Sequence, residues 1–160
     1  MRAFLIALMM LGLTLGHAST AHADAMETDA LALINAARAK AGCAALAVNP
    51  KLQSAAAGHA KAMARQNFFS HTGKNGSTAK SRINAAGYGW SAIAENIAAG
   101  QSTAKEVVST WLASAGHKKN MLNCTYTETG LAVVYQHDDA PIKGYQYPFK
   151  YYWVQTFGRP

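Results

Sequence analysis

Apolar residues recur at helical spacing through the first part of the chain. Between Met26 and Gly42, a stripe of apolar positions predicts an amphipathic helix that the glycine ends. A second helix is predicted after Asn49, whose side chain can cap it, with Pro50 at the first helical position. The predicted inner faces are Met26, Ala30, Leu33, Ile34, Ala37 and Ala41, then Leu52, Ala56, His59, Ala60 and Met63.

Capping residues indicate two further helices. Ser77 can cap a short helix that Gly87 closes. Thr103 and Glu106 form a capping box for a longer helix that Gly116 ends.

The remaining segments favour extended structure. Residues 129–136 and 150–158 are rich in β-branched and aromatic side chains and predict two strands joined by a long loop. Residues 88–100 are mostly apolar without a helical period, which suits a buried extended segment. Helices first and a hairpin last predict an α+β fold, with helices over a small antiparallel sheet and Trp111 and Trp153 in its core.

The N-terminal stretch has the composition of a secretory signal peptide. Its apolar run, residues 4–15, would span about 18 Å as a helix, short of a hydrocarbon core of about 30 Å. Ala21-His22-Ala23 matches the pattern that signal peptidase accepts, and an uncleaved anchor is the alternative. We predict a signal peptide at 1–23 and one secreted domain at 24–160, extracellular or periplasmic, monomeric and with no transmembrane segment.

Charge and cysteine content refine this picture. The signal segment carries one of the 15 Lys and Arg residues and none of the 8 acidic ones, which leaves a net charge of +6. These cations are scattered, which predicts a solvated surface; weak attraction to anionic cell-wall polymers or lipid headgroups is the alternative, and no nucleic-acid partner is expected. Because two distant cysteines in an exported chain favour a disulfide, Cys43 and Cys124 are predicted to pair.

Three polar residues are candidates for one site. His71 and His117 each follow a predicted helix in a glycine-containing loop, a position that projects a side chain into a cleft. Glu95 lies among apolar neighbours, and a buried carboxylate is costly unless it is paired or hydrogen-bonded. No H-E-x-x-H or G-x-S-x-G motif supports a particular chemistry. His59, on an apolar helical face, is predicted to be a core histidine bonded to the backbone.

An ordered set of short motifs resembles a known family. The landmarks are LQSAAAGHAKAMA (52–64), FFSH (68–71), Gly76, Arg82, Gly87, ENIAAG (95–100), Trp111, Ser114, GHKKNML (116–122), Gly130 and YWVQTFG (152–158). The chain resembles a bacterial member of the CAP superfamily, the SCP-domain proteins that include cysteine-rich secretory proteins, antigen 5 and pathogenesis-related proteins.

This resemblance implies a fold and a site. The fold is a three-layer α-β-α sandwich with a central antiparallel sheet and an open cleft lined by histidine and acidic residues. By position these residues are His71, Glu95 and His117, with Phe68 and Phe69 anchoring the chain that presents His71.

One position departs from the pattern of many eukaryotic relatives. Where they have a second glutamate, this chain has Ser114, which is expected to face the cleft and leave it more open. Glu106 is on the same predicted helix but about 12 Å away along its axis, too far to substitute.

Two functions, and a third reading without one, stay open. In the first, the cleft binds an extracellular ligand (a lipid, a cell-wall glycan or a peptide) with a weakly bound divalent metal such as zinc on His71 and His117. In the second, the protein is a metal-dependent extracellular hydrolase with His71, Glu95 and His117 as catalytic residues. The third is a stable scaffold with a vestigial site, so enzymatic activity is undecided.

Two features of the long loop have simple interpretations. His137, Asp138 and Asp139 could bind a metal, but they are expected to form an acidic loop tip in solvent. The aromatic run Tyr145, Tyr147, Phe149, Tyr151 and Tyr152 could be a sugar or lipid platform, although strand alternation explains its last two members without a ligand.

Overall fold

A computed structural model describes the chain from residue 15 to residue 160, with side chains from residue 21 onward. Five helices and four strands follow one another along it. They are α1 (Leu15–Lys40), β1 (Ala47–Val48), α2 (Pro50–Arg65), α3 (Ala79–Ala85), β2 (Ala92–Ala99), α4 (Ala104–Ala113), α5 (Ala115–Met121), β3 (Glu128–Tyr135) and β4 (Tyr151–Arg159).

The strands form one sheet in the order β1-β3-β4-β2. β4 lies in the centre and pairs antiparallel with both neighbours, aligning Tyr152 with Val134 on one side and with Ala99 on the other. The sequence analysis missed β1, which pairs parallel with β3 through two residues only. Both β1 residues are exposed, so they lack the alternation of apolar and polar positions that identifies a strand.

Helices cover both faces of the sheet. On one face the small and apolar side of α2 (Ala56, Ala60 and Met63) packs against β3 and β4. On the other face α1, α4 and α5 enclose Trp111, Trp153 and other side chains. The predicted α+β, three-layer α-β-α sandwich is confirmed, and both tryptophans are fully buried as expected.

The two covered faces explain the composition of β4. Every residue from 152 to 158 is buried, because one set of alternating side chains meets α2 while the other meets the opposite helix layer. This strand is therefore buried without the alternation expected for a half-exposed strand, and its two polar members, Gln155 and Thr156, are hydrogen-bonded inside the core.

The end of α1 is fixed to the far part of the chain by two devices. The disulfide between Cys43 and Cys124 is present. Beside it, the fully buried Arg38 guanidinium donates hydrogen bonds of 2.8 to 3.1 Å to four backbone carbonyls. These acceptors are Ala44, Met121, Asn123 and Tyr126, so one side chain satisfies the carbonyls of two separate loops.

Five local predictions are wrong. The predicted buried stripe of the first helix includes Leu33 and Ala41, but both are exposed, Leu33 by 40%. The residue that caps the short helix α3 is Thr78, not Ser77, because Thr78 and Ser81 form a reciprocal capping box. The helix expected to end at Gly116 ends at Ala113, because Ser114 takes an extended conformation (φ −95°, ψ 123°) that separates α4 from α5. Asp139 is buried rather than solvated, since its carboxylate accepts hydrogen bonds from the Lys150 amide and the Tyr152 hydroxyl.

Candidate functional site

The candidate site begins with a carboxylate on β2, an edge strand of the sheet. Glu95 alternates with Asn96, so the two side chains leave opposite faces, Glu95 on the side of α2 and α3 and Asn96 on the side of α5. The Glu95 side chain is 3% exposed. A carboxylate this deeply buried requires partners.

Both carboxylate oxygens of Glu95 have a hydrogen-bond donor. His71 Nδ1 lies 2.9 Å from Oε1, and one terminal nitrogen of Arg82 lies 2.7 Å from Oε2. Burial by itself raises the pKa of Glu95, but the hydrogen bonds from His71 and Arg82 and the guanidinium charge outweigh it, so the pKa is lowered. Glu95 is therefore ionised at neutral pH. We call Glu95, Arg82 and His71 the Glu95 cluster.

Arg82 also holds the loop that carries His71. Its guanidinium donates to the backbone carbonyls of His71 and Ser77, both at 3.0 Å. From below, the fully buried His59 binds the Ser70 carbonyl through Nε2 at 2.9 Å. The loop is thus fastened on both sides of His71, and the prediction of His59 as a core histidine bonded to the backbone is confirmed.

The exposed group of the cluster is the imidazole of His71. Its side chain is 56% exposed, and its Nδ1 is directed at the ionised Glu95. Since a carboxylate only accepts hydrogen bonds, the neutral ring carries its proton on Nδ1 and presents Nε2 as a free acceptor. The arrangement offers one oriented lone pair to a ligand, a proton or a metal ion.

His117 occupies a different place from the predicted one. It lies within α5, not in a loop after a helix, and it is half-buried. The backbone carbonyl of His117 accepts a hydrogen bond from the Asn96 side-chain amide, and the Asn96 side-chain oxygen accepts one from Asn120. These bonds tie α5 to the face of β2 opposite Glu95. Burial lowers the pKa of His117, and the nearby His71 lowers it further.

Ser114 lies at the junction of the two helices. It ends α4 and begins α5, is half-buried, and its side chain makes no capping hydrogen bond. The extended backbone of Ser114 forms the break between α4 and α5, three residues before His117. The expectation that it faces the cleft stays a prediction.

The donor set does not fit a metal centre that uses Glu95 as a ligand. Both Glu95 oxygens are already bonded, one of them to a cation, and within residues 15–160 no group of three or more His, Cys, Asp or Glu side chains is placed to hold a metal ion. The His71–Glu95 pair does resemble the arrangement in which a carboxylate orients a metal-binding imidazole. Only His71, with His117, could therefore contribute ligands.

Sequence reasoning missed Arg82 as the main partner of Glu95. The sequence shows that a buried Glu95 requires a hydrogen-bond partner, and Arg82 is one of the family landmarks. The prediction nevertheless named two histidines as the partners of Glu95. The available signal for Arg82 was that the short helix α3 contains no acidic residue that could pair with it.

Aromatic side chains adjoin the loop that carries His71. Phe69 packs against Phe149 with ring centroids 5.7 Å apart, and Phe149 packs against Tyr145 at 4.7 Å. We call these three residues the aromatic cluster. Tyr145 and Tyr147 are 50% and 71% exposed, whereas Tyr152 is fully buried, so only the loop part of the aromatic run is open to a ligand.

The fold and these landmarks define a class of protein. The sequence matches the CAP family, the cysteine-rich secretory protein family, over residues 31–157. The chain belongs to this family.

Similar proteins come from several bacteria. In Bacillus subtilis (strain 168), the uncharacterized protein YkwD is 33% identical over 69% of this chain and 43% of its own length, and the uncharacterized membrane protein YlbC is 35% identical over 67% of this chain and 31% of its own. The chain thus spans less than half the length of these curated relatives.

Solved structures share the fold. An extracellular protein containing an SCP domain from Bacillus anthracis str. Ames superposes with a TM-score of 0.77 at 26% identity, covering 93% of this chain and 45% of that one. An outer surface protein of Borrelia burgdorferi superposes with a TM-score of 0.68 at 23% identity, covering 81% and 88%, and supports the fold alone. Among residues 15–160, no helix combines the length and apolarity that crossing a membrane requires.

Proposed function

We propose that this protein is exported and binds an extracellular ligand on the surface around His71. The observation that carries this proposal is the Glu95 cluster, in which a buried ion pair fixes an exposed imidazole. A surface histidine ordinarily loses rotamer freedom when it binds a ligand. Here that ordering is already provided by Glu95 and by the Arg82 bond to the His71 carbonyl, so the site is preorganised.

Two observations support export: the disulfide and the location of structurally similar proteins. The Cys43–Cys124 disulfide suits an oxidising compartment, and structural relatives are described as extracellular or outer-surface proteins. Cleavage after Ala23 would give a domain that begins at Asp24. The intact mass of the secreted product tests this, and a product that keeps its N-terminal methionine would exclude the cleavage.

The Glu95 cluster favours binding over hydrolysis with Glu95 as the base. A general base is most effective when its pKa lies near the working pH, whereas the pKa of Glu95 is lowered and both of its oxygens are occupied. Glu95 orients His71 and does not itself reach a substrate.

The ligand classes are a lipid, a cell-wall glycan and a peptide. The aromatic cluster lies next to the His71 loop and offers ring faces that can stack on sugars or on acyl groups. Zinc would be held by His71 and His117 alone, so its affinity would be weak because zinc sites in proteins ordinarily have three or four protein ligands. Bound there, it would supply a positive charge to which an anionic group of the ligand can coordinate.

A second candidate function is a metal-dependent extracellular hydrolase that uses His71, Glu95 and His117. One observation favours it: a carboxylate on Nδ1 of an exposed imidazole is the pairing that orients Nε2 toward a metal ion. In this version His71 and His117 would hold the metal, and Glu95 would be the positioning residue of His71. Release of product from cell-wall fragments or peptides, abolished in His71→Ala, would support it.

The proposal is tested by NMR titration of the purified ¹⁵N-labelled protein with soluble cell-wall fragments, phospholipid micelles, unstructured peptides and zinc, each in turn. We expect one class to shift resonances around His71 and in the aromatic cluster. His71→Ala should weaken that binding at least tenfold, whereas His137→Ala, which removes an exposed histidine in another loop, should leave it unchanged. Equal losses in both variants, or shifts confined to other surfaces, would contradict the proposal.

A further inference from the structure

The two edges of β3 are covered very differently. On one side β4 pairs with it from Glu128 to Tyr135. On the other side β1 pairs only with Glu128 and Thr129. From residue 130 onward, the outer edge of β3 has no neighbouring strand in the part of the chain that the structure describes.

Side chains replace the missing strand for a short distance. The amide side chain of Gln53 accepts from the Leu131 amide at 2.8 Å and donates to the Leu131 carbonyl at 2.7 Å, as a paired strand would. The Glu27 carboxylate then accepts from the Val133 amide at 3.0 Å. Covering an edge in this way prevents uncontrolled pairing with other chains.

This cover stops at Val133. Outward-facing residues alternate along an antiparallel strand, and since Leu131 and Val133 point outward, so does Tyr135. Within residues 15–160, the Val133 carbonyl and the amide and carbonyl of Tyr135 have no hydrogen-bond partner. Three backbone groups of a well-formed strand are therefore open to an incoming strand.

A cavity of about 950 Å³ lies along this open stretch. Its lining includes Val133 and Tyr135 of β3, Lys61 and Arg65 of α2, and Asp138 of the loop. His22 and Ala23 also line it, and both precede the predicted cleavage site, so cleavage would widen the groove.

The charges of this groove favour an anionic occupant. The lining of the groove contains two cations, Lys61 and Arg65, and one carboxylate, Asp138. Glu27, which binds the same edge of β3, already has a hydrogen-bond partner on each carboxylate oxygen. Lys61 and Arg65 are one helical turn apart, about 6 Å along α2. Alternate side chains of an extended peptide are separated by a similar distance, about 6.8 Å.

We propose that this groove binds an acidic peptide in extended conformation, which adds to the sheet as a strand beside residues 133–135. Its backbone pairs with the Val133 carbonyl and with the Tyr135 amide and carbonyl, and acidic side chains at alternate positions meet Lys61 and Arg65. Main-chain pairing supplies affinity and the alternating side chains supply selectivity, as in other cases of strand addition. The groove is distinct from the surface around His71.

The experiment compares two hexapeptides of opposite charge, Glu-Val-Glu-Val-Glu-Val and Lys-Val-Lys-Val-Lys-Val, both with blocked ends and a fluorescent label. Fluorescence anisotropy with the purified protein measures affinity, and amide exchange by NMR reports on Tyr135. We expect the acidic peptide to bind at least tenfold more tightly and to slow exchange of the Tyr135 amide at least tenfold.

Charge-reversal variants locate the binding surface. Lys61→Glu with Arg65→Glu should weaken binding of the acidic peptide at least tenfold. Lys51→Glu with Lys105→Glu makes the same change in net charge at exposed positions elsewhere and should have a much smaller effect. Circular dichroism verifies that both double variants are folded.

Three results would overturn the proposal. They are equal affinity for the two peptides, equal weakening in the two double variants, and resonance shifts that avoid residues 133–135. Protection of the Tyr135 amide that depends on protein concentration and needs no peptide would assign the open edge to a second copy of this chain instead.

Discussion

Two buried arginines in this protein have opposite surroundings. Arg38 is fully buried and donates only to neutral backbone carbonyls, beside the disulfide that joins two loops. Arg82 is 12% exposed and is paired with a carboxylate, which in turn holds an exposed imidazole. The first arginine joins segments of the chain that would otherwise leave polar groups unsatisfied. The second sets the charge and orientation of a group that faces solvent.

The comparison separates structural from functional use of the same side chain. The partners of Arg38 are backbone carbonyls, which do not titrate near neutral pH and are not exposed to a ligand by this contact. The contacts of Arg38 therefore have a structural role. The Glu95 cluster contains an ionised carboxylate and a histidine, and its exposed imidazole is free to contact a ligand. We therefore expect changes in the Arg38 region to affect mainly stability, and the recognition proposed above depends on the Arg82 region.

The largest expected effect is at Arg38. Arg38→Met keeps much of the volume but leaves four carbonyls without their donor, and hydrogen bonds to a charged group contribute about 1.5–3 kcal/mol each. We expect the free energy of unfolding to fall by about 5 kcal/mol or more, measured by urea denaturation. Arg38→Lys, which restores the charge but not the fork of donors, should recover part of the loss.

The disulfide should rank next. Its cysteines are 81 residues apart, and a loop of this length implies a stabilisation of about 4 kcal/mol in the chain-entropy model. Cys43→Ser with Cys124→Ser should lower the urea midpoint accordingly, while ligand binding around His71 is retained once the protein is folded. A double variant as stable as the parent would contradict this account of the region.

The Arg82 region should show strong coupling between its two charges. Arg82→Met leaves the buried Glu95 carboxylate with His71 but without its cationic partner, which is expected to cost about 3–5 kcal/mol. Adding Glu95→Gln removes the unpaired charge, so the double variant should be more stable than Arg82→Met alone. A double-mutant cycle by urea denaturation measures this coupling, and simple additivity of the two changes would refute the buried ion pair.

The smallest expected effects are on the pH dependence of stability. They should arise from titratable groups in the Arg82 region, because the contacts of Arg38 include none. Burial lowers the pKa of His59, with the Arg82 charge adding to it, so the unfolded chain takes up a proton as pH falls below about 6.5 while the folded protein resists it. The free energy of unfolding should therefore decrease as pH falls through this range. His59→Gln should flatten the decrease, and His137→Gln, at an exposed position, should not.

A second decrease is expected at lower pH. The lowered pKa of Glu95 gives stability that is fully present above about 4.5 and is lost as pH falls through the folded-state pKa. Glu95→Gln should remove this acidic step, which urea denaturation at pH 3–5 measures. An unchanged acidic step in that variant would show that Glu95 is not the group responsible.

The sequence predicted those parts of the protein that depend on local patterns. Periodicity located α2 and most of its buried face, missing Ala55 and Ala64, and the capping box at Thr103 located the start of α4, because both signals lie within a few residues. Composition found β4. The two-residue β1 escaped because its pairing depends on a strand about 80 residues away.

The sequence led to the contact between Glu95 and His71 but not to the contact between Glu95 and Arg82. A carboxylate in an apolar segment required partners, which led to Glu95 and His71. The choice of Arg82 over His117 depends on which elements flank β2 on each face, and sequence spacing does not contain that information. His117 was misplaced because a single extended residue, Ser114, starts a new helix where a loop was expected.

The central claim is that ionised Glu95 fixes the exposed imidazole of His71. Ring ¹⁵N chemical shifts of His71 in the neutral state test it most directly, since they report which nitrogen carries the proton. The account predicts a proton on Nδ1 and a free Nε2 in the native protein, with that preference lost in Glu95→Gln. A proton on Nε2, or the same Nδ1 preference in Glu95→Gln, would contradict it.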